Sequence, residues 1–236
     1  DKVMIVPGNV DEDELVLADI GKAAAAYLKE IIKDGDTIAV TGGSTVGAVA
    51  DSLPYIGDLH NTMVVPARGG MGSNVEYQSN TIAAALAKKL GGKYKLLHVP
   101  GQLRAEAVET LMNEPDVRSV IESLRETDIL VYGVGRAEDM AIRRNLSESE
   151  IQILRENKAV AEAFGYFFNQ KGEIVFSSNS IGLNIRDLKR IPQLLGVAGG
   201  KQKALVIMAV AYHCPGGVFI TDEGAAHEIL RLSAKN

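Results

Sequence analysis

The residues best equipped for chemistry in this chain gather at glycine-rich turns. Thr41-Gly42-Gly43-Ser44-Thr45 follows an apolar run and precedes a helical pattern. Two glycines let the backbone approach a ligand closely. The hydroxyls of Ser44 and Thr45, with the free N–H groups of a helix start, can then hold an anion. The same residues also suit an ordinary tight turn with Ser44 or Thr45 as N-cap. The turn lacks the lysine of a P-loop, which argues against a nucleoside triphosphate.

Three more turns follow the same logic. Val65-Pro66-Ala67-Arg68-Gly69-Gly70-Met71-Gly72 sets Arg68 among glycines, and a planar guanidinium suits bidentate phosphate recognition. Gln78 and Asn80 open the next helix, within reach of that turn. Gly133-Val134-Gly135-Arg136 is a shorter signal. Downstream lie Arg143 and Arg144; a double arginine reads as a solvated face, with one of the two able to point inward. In Ala198-Gly199-Gly200-Lys201-Gln202-Lys203, either Lys203 or Lys201 can close over a second anion. Cations are disfavoured by the dipole at a helix start, so their presence there points to an anionic partner. Glu162 stands among apolar neighbours, as a base, as an acceptor for ligand hydroxyls, or as an ordinary helix-surface carboxylate.

Positioning these turns requires strands before them and helices after them. Apolar runs at Thr37–Val40, Met63–Pro66, 95–99, 128–133, 174–176, 194–198 and 217–220 read as strands. Helical patterns cover 14–32, 46–53, 77–90, 116–125, 201–212 and 223–232. Strands alternating with helices predict an α/β fold, a mainly parallel open sheet with helices on both faces. Glycines after strands then fall on its carboxyl edge, where such sheets bind ligands. Residues 145–172 are less regular and rich in charge, and a cap or small subdomain is expected around 136–172. The whole chain, 1–236, reads as one binding domain.

Composition narrows the function. Basic residues number 25 and acidic ones 30, a net charge of −5. That opposes nucleic-acid binding by this chain itself. The single cysteine, Cys214, excludes a disulfide framework and reads as a small buried hydrophobe. No signal peptide or membrane-length apolar run is present in the sequence, so a cytoplasmic protein is expected. The absence of an initiator Met reads as an excised or processed piece of a longer protein. The four histidines show no metal-ligand spacing, and no metal is expected. His98, inside a predicted strand, reads as a satisfied core residue. No Gly-x-Ser-x-Gly elbow occurs. Thr221 or Asp222 reads as the N-cap of the last helix. Four turns at one edge, with Arg68 and Lys203, suit a compact, multiply phosphorylated ligand better than a dinucleotide.

Several of these runs, in order, carry a resemblance. Val40-Thr41-Gly42-Gly43-Ser44-Thr45, Val65-Pro66-Ala67-Arg68-Gly69-Gly70, Val99-Pro100-Gly101-Gln102, Arg143-Arg144-Asn145, Glu162-Ala163-Phe164-Gly165-Tyr166, Val197-Ala198-Gly199-Gly200 and Thr221-Asp222-Glu223-Gly224-Ala225-Ala226 resemble the effector-binding domain of SorC-type transcriptional regulators, nearest the branch that represses glycolytic genes. The resemblance covers nearly the whole chain. It implies the fold of glucosamine-6-phosphate deaminases and ribose-5-phosphate isomerases (NagB/RpiA/CoA transferase-like). It implies a phosphosugar effector, with fructose-1,6-bisphosphate as inducer, and no cofactor. It implies a homodimer, tetrameric when the full-length protein sits on DNA, and a helix-turn-helix preceding this chain. The contacts it implies fall on Gly43, Ser44, Thr45, Arg68, Gly70, Gln78, Arg143, Glu162 and Lys203. One phosphate is expected on the 41–45 turn with Lys203, the other near Arg68, Gln78 and Arg143, with Glu162 accepting from sugar hydroxyls. The alternative is a sugar-phosphate isomerase or deaminase with Glu162 as base. Against it, the stretch after Gly135 reads Arg136-Ala137-Glu138-Asp139-Met140, without the histidine of the deaminases.

Overall fold

A computed structural model of the chain describes residues 2–70 and 75–234. Met71 and Gly72 of the second glycine turn lie outside the described residues. The elements run β1 (Lys2–Val6), α1 (Leu15–Ile31), β2 (Thr37–Val40), α2 (Ser44–Ser52), β3 (Met63–Pro66), α3 (Ser79–Leu90), β4 (Lys93–Tyr94), α4 (Ala105–Met112), α5 (Pro115–Arg125) and β5 (Ile129–Gly133). They continue with β6 (Gly135–Arg136), α6 (Ala137–Arg143), α7 (Glu148–Glu156), β7 (Ala159–Ala163), β8 (Tyr166–Asn169), β9 (Ile174–Ser177), β10 (Gln193–Val197), α8 (Ala204–Ala211), β11 (Val218–Asp222) and α9 (Glu223–Ser233).

Seven strands form one sheet in the order β1-β11-β10-β5-β2-β3-β4, and every pair is parallel. Both faces are covered, which is why the central strands are near-continuous apolar runs. Alternate residues serve opposite layers. Ile38, Val40, Ile129 and Val131 pack with α1, α2 and α3 through Leu28, Val49 and Leu86. Ala39, Leu130 and Tyr132 pack on the other side with α5 and α8 through Val120, Leu124, Val206 and Val210. Cys214 is buried in that second layer, as expected. Successive strands move one way from β2 through β3 to β4, then the other way from β5 onward. The direction changes between β2 and β5, and a crevice opens at the carboxyl ends of strands flanking such a point.

A second, antiparallel sheet, β6-β7-β8-β9, grows directly out of β5. Only Val134 separates β5 from β6. The hairpin between β7 and β8 turns on Phe164 and Gly165, both at positive φ (56° and 80°). This is the two-residue geometry that matches strand twist, and Gly fits it without strain. Glu162 thereby sits on a strand, opposite Phe167 across this hairpin and paired with Gly135 on its other side, not on a helix surface.

Three local expectations are corrected. The run 95–99 is not a strand beyond Tyr94. At Leu97 the Asn80 side chain replaces the neighbouring strand, accepting from the Leu97 N–H at 2.9 Å and donating to its carbonyl at 3.2 Å. His98 is exposed while Leu97 and Val99 are buried, so it is no core residue. The helix drawn from Lys201 to Tyr212 opens as a 3-10 turn, Lys201–Lys203, before α8. Asp222 caps α9 through Ala225, as its position suggests. Among the described residues, no helix is long and apolar enough to cross a membrane.

Candidate functional site

At the end of β2 the chain turns through Gly43, the N-cap of α2, with φ 130° and ψ 154°. An L side chain rarely adopts this conformation, so glycine is required here. Ser44 and Thr45 form the first turn, and neither caps it. The leading N–H groups of a helix have no intrahelical partners. Among the described residues no side chain takes them, so they are directed at the crevice. Neighbouring turns fix the 41–43 segment: Thr41 Oγ1 accepts from the Gly133 N–H at 3.0 Å, and the Gly43 N–H donates to the Tyr77 carbonyl at 2.8 Å. The first contact ties β2 to β5 across the point where strand order reverses.

Lys203 reaches the same point from the next strand over. Its Nζ donates to the Val134 carbonyl at 3.1 Å, immediately after β5. Burial holds this lysine below its ordinary pKa; Asp139 opposes the shift, and Arg143 and Arg136 reinforce it. Lys201 is exposed and lines a separate hollow with Gly8, Asn9, Glu12 and Glu223. Arg136 is engaged by Gln202 at 2.8 Å.

Arg68 follows β3. Its backbone bridges Gly182 of the 178–184 segment, and its carbonyl accepts from Ser79 Oγ at 2.9 Å. The guanidinium lies against Gly165, where any side chain would collide with it. Among the described residues, two of its nitrogens, Nε and Nη2, are buried and meet no hydrogen-bond partner. Burial first, and then the Arg144 guanidinium, push its pKa down to about 10; Glu162 acts in the opposite sense.

Arg144 is 7% exposed and Glu162 4%. Arg144 Nη2 donates to Glu162 Oε1 at 2.6 Å, and Nη1 to the Gly101 carbonyl at 3.3 Å. The Gly165 N–H donates to the same Oε1 at 2.6 Å. Among the described residues both of these bonds to Glu162 fall on Oε1. Two guanidiniums around one carboxylate carry an excess positive charge in a buried setting, where an unpaired charge is expensive. A cavity of about 370 Å³ opens beside them, lined by Gly70, Pro100, Gly101, Gln102, Arg143, Arg144 and Asn145. Gly70 bridges Pro100, and a side chain at Gly70 would meet Gln78 Oε1. Asn80 is committed to Leu97.

The structure therefore groups the expected residues into two loci. Gly43, Ser44, Thr45 and Lys203 flank the β2–β5 crevice. Arg68, Gly70, Gln78, Arg143 and Glu162 surround or adjoin the cavity. Arg143 is exposed at its rim. Sequence reasoning left open which arginine turns inward, and it is Arg144. The signal was present: Ala137, Met140 and Ala141 form the buried face of α6, and Arg144 extends it by one turn.

The sugar-binding domain family model matches residues 1–231. The central glycolytic genes regulator of Bacillus subtilis is 41% identical over 228 residues, 97% of this chain and 67% of that protein. Its namesake in Priestia megaterium is 38% identical, over 98% of this chain and 68% of that one. The crystal structure of a SorC family transcriptional regulator from Enterococcus faecalis is 39% identical and superposes with a TM-score of 0.88, covering 97% of this chain and 94% of that one. The full-length sorbitol operon regulator SorC of Klebsiella pneumoniae, at 18% identity and a TM-score of 0.87, shares the fold.

Proposed function

The chain belongs to the sugar-binding domain family of SorC-type transcriptional regulators, and from that premise we propose that its paired loci hold a phosphosugar, fructose-1,6-bisphosphate in the first instance, as inducer. It is a regulator's sugar-binding domain and not an enzyme, like the relatives that match it. One observation carries the choice of ligand: Arg68 Nε and Nη2 are buried and, among the described residues, unpartnered, beside a second guanidinium. An anion at that position would supply the missing compensation through charge-assisted hydrogen bonds.

The second phosphate falls at the start of α2, where uncapped N–H groups, the Ser44 and Thr45 hydroxyls and the Lys203 ammonium converge on the crevice. Glu162 Oε2 takes a sugar hydroxyl between the two. A carboxylate there repels a phosphate placed in the wrong register, so it selects by exclusion as well as by contact. In the cytoplasm, the bound effector joins the β2, β3 and β5 turns to the second sheet. It would favour one arrangement of a dimer or tetramer over another and so govern DNA binding through a domain outside this chain.

Calorimetric titration tests this with fructose-1,6-bisphosphate, fructose-6-phosphate, glucose-6-phosphate and dihydroxyacetone phosphate. Loss of one phosphate removes at least one charge-assisted contact, about 1.5–3 kcal/mol, so the monophosphates should bind at least about tenfold more weakly. Equal affinity for mono- and bisphosphates would overturn the two-locus reading. Sedimentation with and without the bisphosphate reads the assembly state directly.

A further inference from the structure

The turn that carries Lys203 is gripped from outside the site. Gly200, Lys201 and Gln202 present three successive backbone N–H groups ahead of α8. Each meets an acceptor from a distant part of the chain. Gly200 donates to Asp222 Oδ2 at 2.7 Å, Lys201 to Asn9 Oδ1 at 3.3 Å, and Gln202 to Asp11 Oδ2 at 2.9 Å. Asp222 is fully buried at the end of β11 and also accepts from Val10 at 2.8 Å and from Ala225 at 2.8 Å. Its two oxygens thus join the β1–α1 loop, the Lys203 turn and the start of α9. Gly8 closes the ring, its carbonyl accepting from Gly224 at 3.0 Å and its N–H donating to Glu223 at 2.9 Å.

One capping side chain ordinarily satisfies a helix start. Three converge here, two of them from a surface loop. For an anion at the Lys203 locus, the Asp11 carboxylate also carries an electrostatic cost. Asp11 lies near enough to act on the Lys203 ammonium. By its field alone, a carboxylate beside an anion locus weakens anion binding. The position of Lys203 Nζ on the Val134 carbonyl depends on where residues 200–203 are held.

We propose that Asp11, supported by Asn9 and Asp222, is a positioning residue for Lys203: the β1–α1 loop fixes the turn that delivers the ammonium to the phosphate locus. This rests on Lys203 being an effector ligand. Asp11 touches no ligand and acts through the Gln202 N–H.

Four variants decide it, with fructose-1,6-bisphosphate as the calorimetric probe and thermal melts as the control for folding. Asp11→Asn keeps an oxygen for the Gln202 N–H and removes the charge, so affinity should stay within about twofold of the parent or rise. Asp11→Ala removes both and should bind about fivefold more weakly, the fold-change of one lost hydrogen bond. In a Lys203→Met background, Asp11→Ala should produce no further loss, because residues acting through one another are not additive. Tighter binding in both Asp11 variants would mean that the field dominates and would overturn the proposal. An undiminished loss in the Lys203→Met background would assign Asp11 to the general fold and overturn it too. Parental affinity in Lys203→Met alone would instead remove Lys203 from the site, a separate failure that takes this inference with it. Asp11 is exposed, so its variants are expected to fold, whereas changes at the buried Asp222 would confound binding with unfolding.

Discussion

Replacing Arg68 with Met should make the empty protein more stable and weaken its response to effector. The Arg68 guanidinium is charged at neutral pH in both folded and unfolded chains, but the folded environment brings its pKa down to about 10. At about 1.4 kcal/mol per pH unit, that displacement from the ordinary arginine value is a penalty of about 3 kcal/mol on the folded state. The sign follows from linkage. Below pH 10 both states hold the proton and the full penalty stands; above pH 10 the folded state releases it first and the penalty fades. Methionine fills a similar stem at a repacking cost of about 1 kcal/mol. The net gain of about 2 kcal/mol corresponds to about 4–8 °C in melting temperature for a chain of this size. Effector affinity should fall at least tenfold, since a charge-assisted contact is worth about 1.5–3 kcal/mol. The assay is a thermal melt of both proteins, empty and with fructose-1,6-bisphosphate at a hundred times the parent dissociation constant. The parent should gain about 2.7 kcal/mol of stability from ligand at that excess, and the variant, binding at least about tenfold more weakly, about 1.4 kcal/mol or less. A variant that melts lower when empty, or gains as much from effector as the parent, would refute the idea that Arg68 is a charge awaiting an anion.

Other outcomes follow from the same geometry. Glu162→Gln leaves the Arg68 and Arg144 guanidiniums facing each other without a carboxylate, and should cost about 3–5 kcal/mol in urea unfolding; adding Arg68→Met should return part of it. Arg143→Ala should weaken effector binding with stability unchanged within about 0.5 kcal/mol, because the side chain is exposed, whereas Arg144→Ala should destabilise by about 3–5 kcal/mol. Lys203 holds its proton less tightly than an ordinary lysine, so bisphosphate affinity measured from pH 7 to 10 should decline earlier than for an unperturbed lysine, and Lys203→Met should flatten that decline.

The parallel sheet was legible because strands covered on both faces must be apolar throughout, and Thr37–Val40, Met63–Pro66 and 128–133 are such runs. The failures have a common physical form, in which a distant side chain overrides local pattern. The run 95–99 has the composition of a strand, but Asn80 supplies the backbone partner that a neighbouring strand would have supplied. Glu162 could be flagged as a carboxylate in apolar company, yet its place on a strand depends on a hairpin to Phe167, marked locally by Phe164-Gly165, and on a second pairing with the distant Gly135. Arg144 differs from Arg143 by one residue and by about a hundred degrees of helix rotation, enough to exchange the rim of a cavity for its wall.

The two glycine turns nearest the crevice show why motif and site are different things. Gly42-Gly43-Ser44 and Gly199-Gly200-Lys201 both follow a buried strand and lead toward a helix, and by local sequence each could cradle an anion. At the second, Asp222, Asn9 and Asp11 already occupy the N–H groups of Gly200, Lys201 and Gln202. At the first, no side chain among the described residues caps the helix. The protein thus fills one helix start with its own carboxylates and leaves the other uncapped. On the proposed reading the phosphate goes to the uncapped one, because the filled one presents negative charge in place of free donors. In that proposal Lys203 contributes through its side chain alone, extended from a turn whose backbone is already satisfied.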